Sequence, residues 1–108
     1  MNEIDVQDLY QKLPQLNDHD IILDVRTHEE FQDVRLSPSR HIPLDQIATH
    51  IDELSSCKTI YVLCRSGRRS ETACQFLSPL IEAELYNITG GILDWIDNDF
   101  PVETSENT

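Results

Sequence analysis

Cys64 is followed at once by Arg65-Ser66-Gly67-Arg68-Arg69-Ser70, which places three of the chain's eight basic residues within five positions of a thiol. A cysteine acts as a nucleophile through its thiolate, and positive surroundings favour that form. Ahead of it, Ile60-Tyr61-Val62-Leu63 is apolar and β-prone; behind it, 71–80 has helical composition and spacing. A cysteine at the carboxyl end of a strand, on a tight loop feeding a helix, is well placed for anion chemistry. Successive backbone N–H groups of such a loop form an anion-binding nest. The helix N-terminus adds a partial positive charge at the same point. Thiolate and anionic substrate are favoured together.

The elements that must hold this loop follow from the hydrophobic pattern. Ile4, Val6, Leu9, Tyr10 and Leu13 suggest a short strand running into an amphipathic helix, with Asp5 as its cap and Pro14 as its end. Residues 21–25 read as a buried strand. Thr27 and Glu30 form a capping box that starts a short helix. Ile42-Pro43-Leu44 is a brief extended piece, and Ile47, Ile51 and Leu54 put a helix over 45–54. Residues 59–63 are the strand that delivers Cys64. Ala73, Phe76, Leu77 and Leu80 are expected on the buried side of the next helix. A strand at 84–86 and a Gly90-Gly91 turn lead to a last helix carrying Ile92, Trp95 and Ile96, with Trp95 in the core. Strands alternating with helices imply an α/β domain with a small parallel sheet covered on both faces. Ligands of such sheets bind at the carboxyl ends of the strands, where Cys64 falls.

The rest of the chain narrows the function. Its 108 residues suit one domain, expected over 1–103, with a polar, frayed tail at 104–108. The net charge of −12 makes nucleic acid and anionic membrane poor partners, so the basic loop is a local exception in an acidic molecule. No run approaches the roughly 20 apolar residues of a membrane span, and the first residues lack a signal-peptide pattern, so the cytoplasm is the default location. Three cysteines without a C-x-x-C pair argue against a disulfide framework. The scattered His19, His28, His41 and His50 give no metal-ligand spacing; neither metal nor cofactor is expected.

Four separated motifs resemble the rhodanese family in its single-domain form. They are Ile22-Leu23-Asp24-Val25-Arg26 with Glu29-Glu30-Phe31, then Ser39-Arg40-His41-Ile42-Pro43-Leu44, the C-x-x-G-x-R loop from Cys64 to Arg69, and Gly90-Gly91-Ile92 with Trp95 and Pro101-Val102. One segment departs: Val34-Arg35-Leu36 stands where the family usually has glycine and histidine, and Pro38 replaces a second glycine. The resemblance implies a single rhodanese-like domain and sulfur transfer through a Cys64 persulfide. The donor would be thiosulfate or a related small anion, the acceptor cyanide, a thiol or a protein cysteine. Arg65, Ser66, Gly67, Arg68 and Arg69 would then bind the donor. Arg65 and Arg68 also have a plain reading as solvent-facing side chains. Arg69 either faces the anion or pairs with a carboxylate such as Asp24 or Glu30. Asp24, Arg26 and Glu30 read as a structural ion-pair set, and Cys57 and Cys74 as bystanders.

Thiolate formation alone would do little for such a reaction. Lowering a cysteine pKa from about 8.5 to about 6.5 raises the thiolate fraction at pH 7 roughly 25-fold. Reduced nucleophilicity removes roughly 6- to 10-fold of that gain. Most of the loop's effect must therefore be positional and electrostatic. Two other classes compete: a non-catalytic rhodanese-like interaction module, disfavoured by the intact cysteine, and a phosphatase or arsenate reductase. The latter enzymes separate cysteine and arginine by five residues; here the sixth position after Cys64 is Ser70, and Arg69 comes one residue early. The shorter ring suits one sulfur better than phosphorus with four oxygens.

Overall fold

In the computed structural model, which describes residues 1–105, Thr59–Leu63 forms the central strand of a sheet, and its alternation sorts the interior into two cores. Ile60, Val62 and Cys64 fall on one side, Tyr61 and Leu63 on the other. In chain order the strands are β1 (Asn2–Ile4), β2 (Asp20–Asp24), β3 (Val34–Arg35), β4 (Arg40–His41), β5 (Thr59–Leu63), β6 (Glu84–Ile88) and β7 (Glu103–Thr104). The α-helices are α1 (Val6–Lys12), α2 (His28–Asp33), α3 (Ile51–Ser55), α4 (Arg68–Leu77) and α5 (Gly91–Asp97). Five strands pair in the order β1-β6-β5-β2-β4, all parallel, while β3 and β7 form a separate antiparallel pair. Residues of α3 and α4 fill the Cys64 side, and those of α1 and α5 the other, so helices cover both faces.

Local chemistry explains most boundaries. Asp5 accepts from the Asp8 N–H at 2.8 Å and starts α1. Thr27 and Glu30 complete the capping box of α2 reciprocally. On the second face Trp95 is buried, its Nε1–H donating to the Pro101 carbonyl at 2.8 Å; Tyr10 meets it edge-on and stacks on Phe100 at 4.2 Å. These contacts tie α1, α5 and the chain end together. No helix among the described residues is long and apolar enough to cross a membrane.

Several expectations need correction. The single helix over 45–54 is a 3₁₀ helix, Leu44–His50, followed by α3. Thr49 Oγ1 donates to the Gln46 carbonyl at 2.8 Å and His50 Nδ1 lies 3.0 Å from it. These side chains occupy the oxygen that the α-helical N–H at His50 would need. Helix α4 runs from Arg68 to Leu77 rather than over 71–80, and its buried stripe is Ser70, Ala73, Cys74 and Leu77. Phe76 and Leu80 are then 43% and 50% exposed, and Ile96 on α5 is also exposed. The extended piece near Ile42 begins earlier, at Arg40, though the N–H groups of Ile42 and Leu44 still donate to Asp24 and Val25. Thr104 pairs with Val34 instead of opening a frayed tail; 106–108 lie outside the described residues. That pairing also accounts for the atypical Val34-Arg35-Leu36. Arg35 donates to the Phe31 and Gln32 carbonyls at the end of α2, and Leu36 is buried.

Beneath the carboxyl ends of the strands lies a fully buried ion pair. The Asp24 carboxylate receives Nε and Nη2 of Arg26 at 2.8–3.1 Å, and the same guanidinium donates to the carbonyls of Val34, at 2.7 Å, and Glu30, at 3.4 Å. With both side chains at 2% exposure or less, removing one partner strands a buried charge. We therefore expect Asp24→Ala to lower the unfolding free energy by about 3–5 kcal/mol in urea titrations at pH 7. The Asp24→Leu/Arg26→Met double variant should lose less than the single one. A single-variant loss below about 1 kcal/mol would contradict this role for the pair.

Candidate active site

Cys64 follows β5 directly, and its sulfur lies under the loop that its own successors form. Gly67 is left-handed, with φ at +106°, and its N–H donates to Sγ at 3.0 Å. That φ suits glycine and few other residues. It is also the N-cap position of α4 and carries no capping side chain, so the first helical N–H groups stay available to an anion. The Ser70 hydroxyl, one turn into α4, lies 3.3 Å from Sγ. Burial pushes the Cys64 thiol up. The Ser70 hydroxyl and the N–H groups of Ser70, Gly67 and Ser66 outweigh that, and the net direction is downward from the ordinary thiol value. The other cysteines go the opposite way. Burial drives Cys74 up to about 11, and Cys57 is raised by burial and then by Glu53 and Asp20. All three are free thiols.

The outer side of the loop is held by α5. Ile92 and Leu93 donate their N–H groups to the carbonyls of Cys64 and Arg65 at 3.0 and 3.2 Å. Gly91 makes this approach possible: a Cβ there would stand 2.5 Å from the Cys64 carbonyl oxygen. Because a trans peptide points its C=O and N–H in opposite directions, holding the Arg65 carbonyl outward turns the Ser66 N–H inward, toward the sulfur. The Gly67 carbonyl is likewise bound, by Glu71 N–H at 3.2 Å and by Asn87 Nδ2 at 3.1 Å.

The loop arginines divide. Arg69 makes a bidentate bridge to Glu30, at 2.7 and 2.8 Å, which is the carboxylate alternative for this residue and joins α4 to α2. Arg65 and Arg68 are exposed, and neither side chain has a hydrogen bond or ion pair among the described residues. A groove of about 300 Å³ is lined by Ser66, Gly67, Arg68, Asn87, Thr89 and Gly90, together with the carboxylates Glu3 and Glu71. Those carboxylates weaken the positive field around Arg68. A larger, mostly apolar groove of about 400 Å³ lies at the amino end of β2, beside Asp20 and Ile21, and holds no nucleophile. Cys64 itself is only 1% exposed.

Asn87 escaped the reading of the sequence. It is 3% exposed on β6, accepts from the Ser70 hydroxyl through Oδ1 and is one of few buried polar side chains. Its signal was available: an amide inside the apolar run Leu85-Tyr86-Asn87-Ile88 has to find partners in the interior.

Comparison with known proteins gives a consistent picture. A family model described as a rhodanese-like domain matches residues 5–98. A sulfurtransferase of Allochromatium vinosum is 29% identical over 106 residues, covering 98% of each chain. An adenylyltransferase and sulfurtransferase of Zea mays is 34% identical over 86% of this chain, which spans 21% of that longer protein. Among solved structures, a rhodanese-related protein from Thermoplasma volcanium superposes with a TM-score of 0.84 at 30% identity, over 95% of this chain and 98% of that one.

The Glu30–Arg69 bridge gives the site a pH signature. Its hydrogen bonds to Arg69 bring the Glu30 carboxyl from 4.5 down to about 2, against the opposing effect of burial and with help from Thr27. A carboxyl depressed on folding stabilises above its unfolded pKa and loses that contribution as pH falls through its folded one. Glu30→Gln keeps a capping-box residue and removes only the charge. Both side chains are about a third exposed, so we expect a loss on the order of 1 kcal/mol in urea unfolding at pH 6, shrinking markedly by pH 3. An equal loss at both pH values would show that the charge is not what matters.

Proposed function

As this chain belongs to the rhodanese-like domain family, we propose that it is a sulfurtransferase that carries sulfane sulfur on Cys64. The observation that carries this reading is a buried thiol at a strand end that receives the Gly67 N–H at 3.0 Å, lies 3.3 Å from the Ser70 hydroxyl and is shifted downward in pKa despite its burial. A structural cysteine needs none of this; Cys74, equally buried, lacks it and is pushed up to about 11.

The Cys64 thiolate attacks the outer sulfur of thiosulfate or a similar small anionic donor. An S–S bond forms to Cys64, the donor's own S–S bond breaks, and sulfite departs with that electron pair. In the second half a thiophilic acceptor (cyanide, a thiol or a protein cysteine) attacks the terminal sulfur, and Cys64 leaves again as thiolate. Electrons balance without an external oxidant, and no cofactor is required. The N–H groups of Ser66, Gly67 and Ser70 hold the anionic sulfur. Arg65 and Arg68 draw in and orient the donor, each charge-assisted hydrogen bond contributing about 1.5–3 kcal/mol where it forms. Arg69 acts from outside, bracing the loop against Glu30. Free cysteines throughout fit a reducing compartment such as the cytoplasm.

The test is to incubate the protein with thiosulfate, remove the excess and measure its intact mass. One sulfur atom should be gained, peptide mapping should place it on Cys64, and cyanide should remove it as thiocyanate. Cys64→Ser should gain none, whereas Cys57→Ser and Cys74→Ser should load normally and Arg65→Ala/Arg68→Ala more slowly. Undiminished transfer by Cys64→Ser would refute the proposal.

A further inference from the structure

Asn87, Ser70, Cys64 and Gly67 form a closed buried circuit in which hydrogen-bond inventory decides every direction. The Gly67 carbonyl can only accept, so the side chain of Asn87 must face it with Nδ2, at 3.1 Å. Oδ1 of Asn87 therefore faces Ser70, and since Oδ1 can only accept, the single Ser70 hydroxyl proton is directed to it. Toward Cys64, 3.3 Å away, Ser70 is left with a lone pair. That arrangement fits a thiol, whose S–H donates to Ser70. It does not fit a thiolate, which has no proton to give. To serve the thiolate, the Ser70 O–H must rotate from Oδ1 to Sγ, and Asn87 then loses a partner in the interior, where both side chains are at most 3% exposed.

We propose that Asn87 is a positioning residue that decides which way the Ser70 hydroxyl points, and through it the hydrogen bond that Cys64 receives. Asn87 makes no hydrogen bond to the sulfur and reaches it only through Ser70. It opposes formation of the resting thiolate through Oδ1; its Nδ2 shares the Gly67 carbonyl with Glu71 N–H, and the peptide partner of that carbonyl, the Arg68 N–H, is not among the groups that stabilise the sulfur. Once the sulfur becomes the inner atom of a persulfide, its charge moves to the outer sulfur, and the hydroxyl returns to Oδ1. The proposal depends on the function above only in taking Cys64 as the nucleophile.

The other groups around Cys64 are accounted for. From α4 come Arg69, which interacts electrostatically with Cys64 and is bridged to Glu30 of α2, and the neighbouring Cys74. From β2 comes Asp24, paired with Arg26. The loop adds Arg65 and Arg68, and α5 contributes backbone N–H groups. None is altered by the variants that follow.

Alkylation of Cys64 by iodoacetamide across pH, followed by peptide mass spectrometry, reads the ionisation midpoint with no sulfur donor present. Asn87→Leu frees the Ser70 proton for the thiolate and should lower the midpoint by about 0.4–1 pH unit, the equivalent of one neutral hydrogen bond. Ser70→Ala should raise it. In the Ser70→Ala/Asn87→Leu double variant the Asn87 effect should vanish, leaving the midpoint of Ser70→Ala alone. Asn87→Val, smaller and strand-favouring, serves with the same expected sign if Asn87→Leu does not fold cooperatively. An unchanged or raised midpoint in the folded Asn87 variant would overturn the proposal, as would an equal shift with and without Ser70. Failure of both variants to fold would assign Asn87 to the fold and overturn it too. If sulfur loading fails while these shifts appear, the proposed function falls and the Asn87 role stands.

Discussion

The loop around Cys64 works because its carbonyls are tied down on the outside. A peptide unit cannot turn its N–H toward the sulfur unless its C=O turns away, and a carbonyl turned away must find a donor. The N–H groups of Ile92 and Leu93 in α5 donate to the Cys64 and Arg65 carbonyls, and Asn87 Nδ2 and Glu71 N–H donate to that of Gly67. The contacts made by Ile92, Leu93 and Asn87 need α5 and β6 close against the loop. Gly91 permits that closeness, since a side chain there would strike the Cys64 carbonyl. Of the N–H groups that stabilise the sulfur, that of Ser66 follows from the outward Arg65 carbonyl, while Gly67 presents its own through its left-handed turn and Ser70 through the first turn of α4.

Two ion pairs then fix the loop relative to the sheet, and they differ in kind. Asp24–Arg26 is fully buried and shares its guanidinium with carbonyls of α2 and β3, so it sets the shape of the floor beside β5. Glu30–Arg69 is half in water, contributes less stability, and links α2 to the first turn of α4. The side chains of Arg65 and Arg68 remain exposed and without partners in the described residues, against a background of −12 net charge. The acidic body repels anions at long range, and the field of these two residues acts within a Debye length of about 8–10 Å. Positive potential is therefore a property of the loop and not of the surface as a whole.

Much of this was legible in the sequence, for identifiable reasons. The strand at 59–63 was clear because alternation and β-branched residues coincide, and the Thr27–Glu30 capping box because its chemistry is local. The loop could be recognised from a cysteine, a glycine and arginines at short spacing. What stayed hidden depends on through-space competition. Thr49 and His50 took the Gln46 carbonyl and broke a helix that periodicity made continuous. Phe76 falls beside the buried stripe of α4 and Leu80 beyond its last residue, so both are exposed. Arg69 had two equally reasonable partners until α2 was positioned in space. Asn87 is 23 residues from Cys64 in the chain, and only strand pairing puts it beside Ser70.

The central claim is that backbone and hydroxyl donors make a buried thiol more acidic than a free one. Thiolate absorbance of the Cys57→Ser/Cys74→Ser variant, in which Cys64 alone remains, measures this directly as a function of pH. The account predicts a midpoint below the ordinary thiol value of about 8.5, moving upward when Gly91→Ala pushes α5 away from the loop. A midpoint at or above that value in the folded two-cysteine-free background would mean that burial wins over the donors, and would contradict the account.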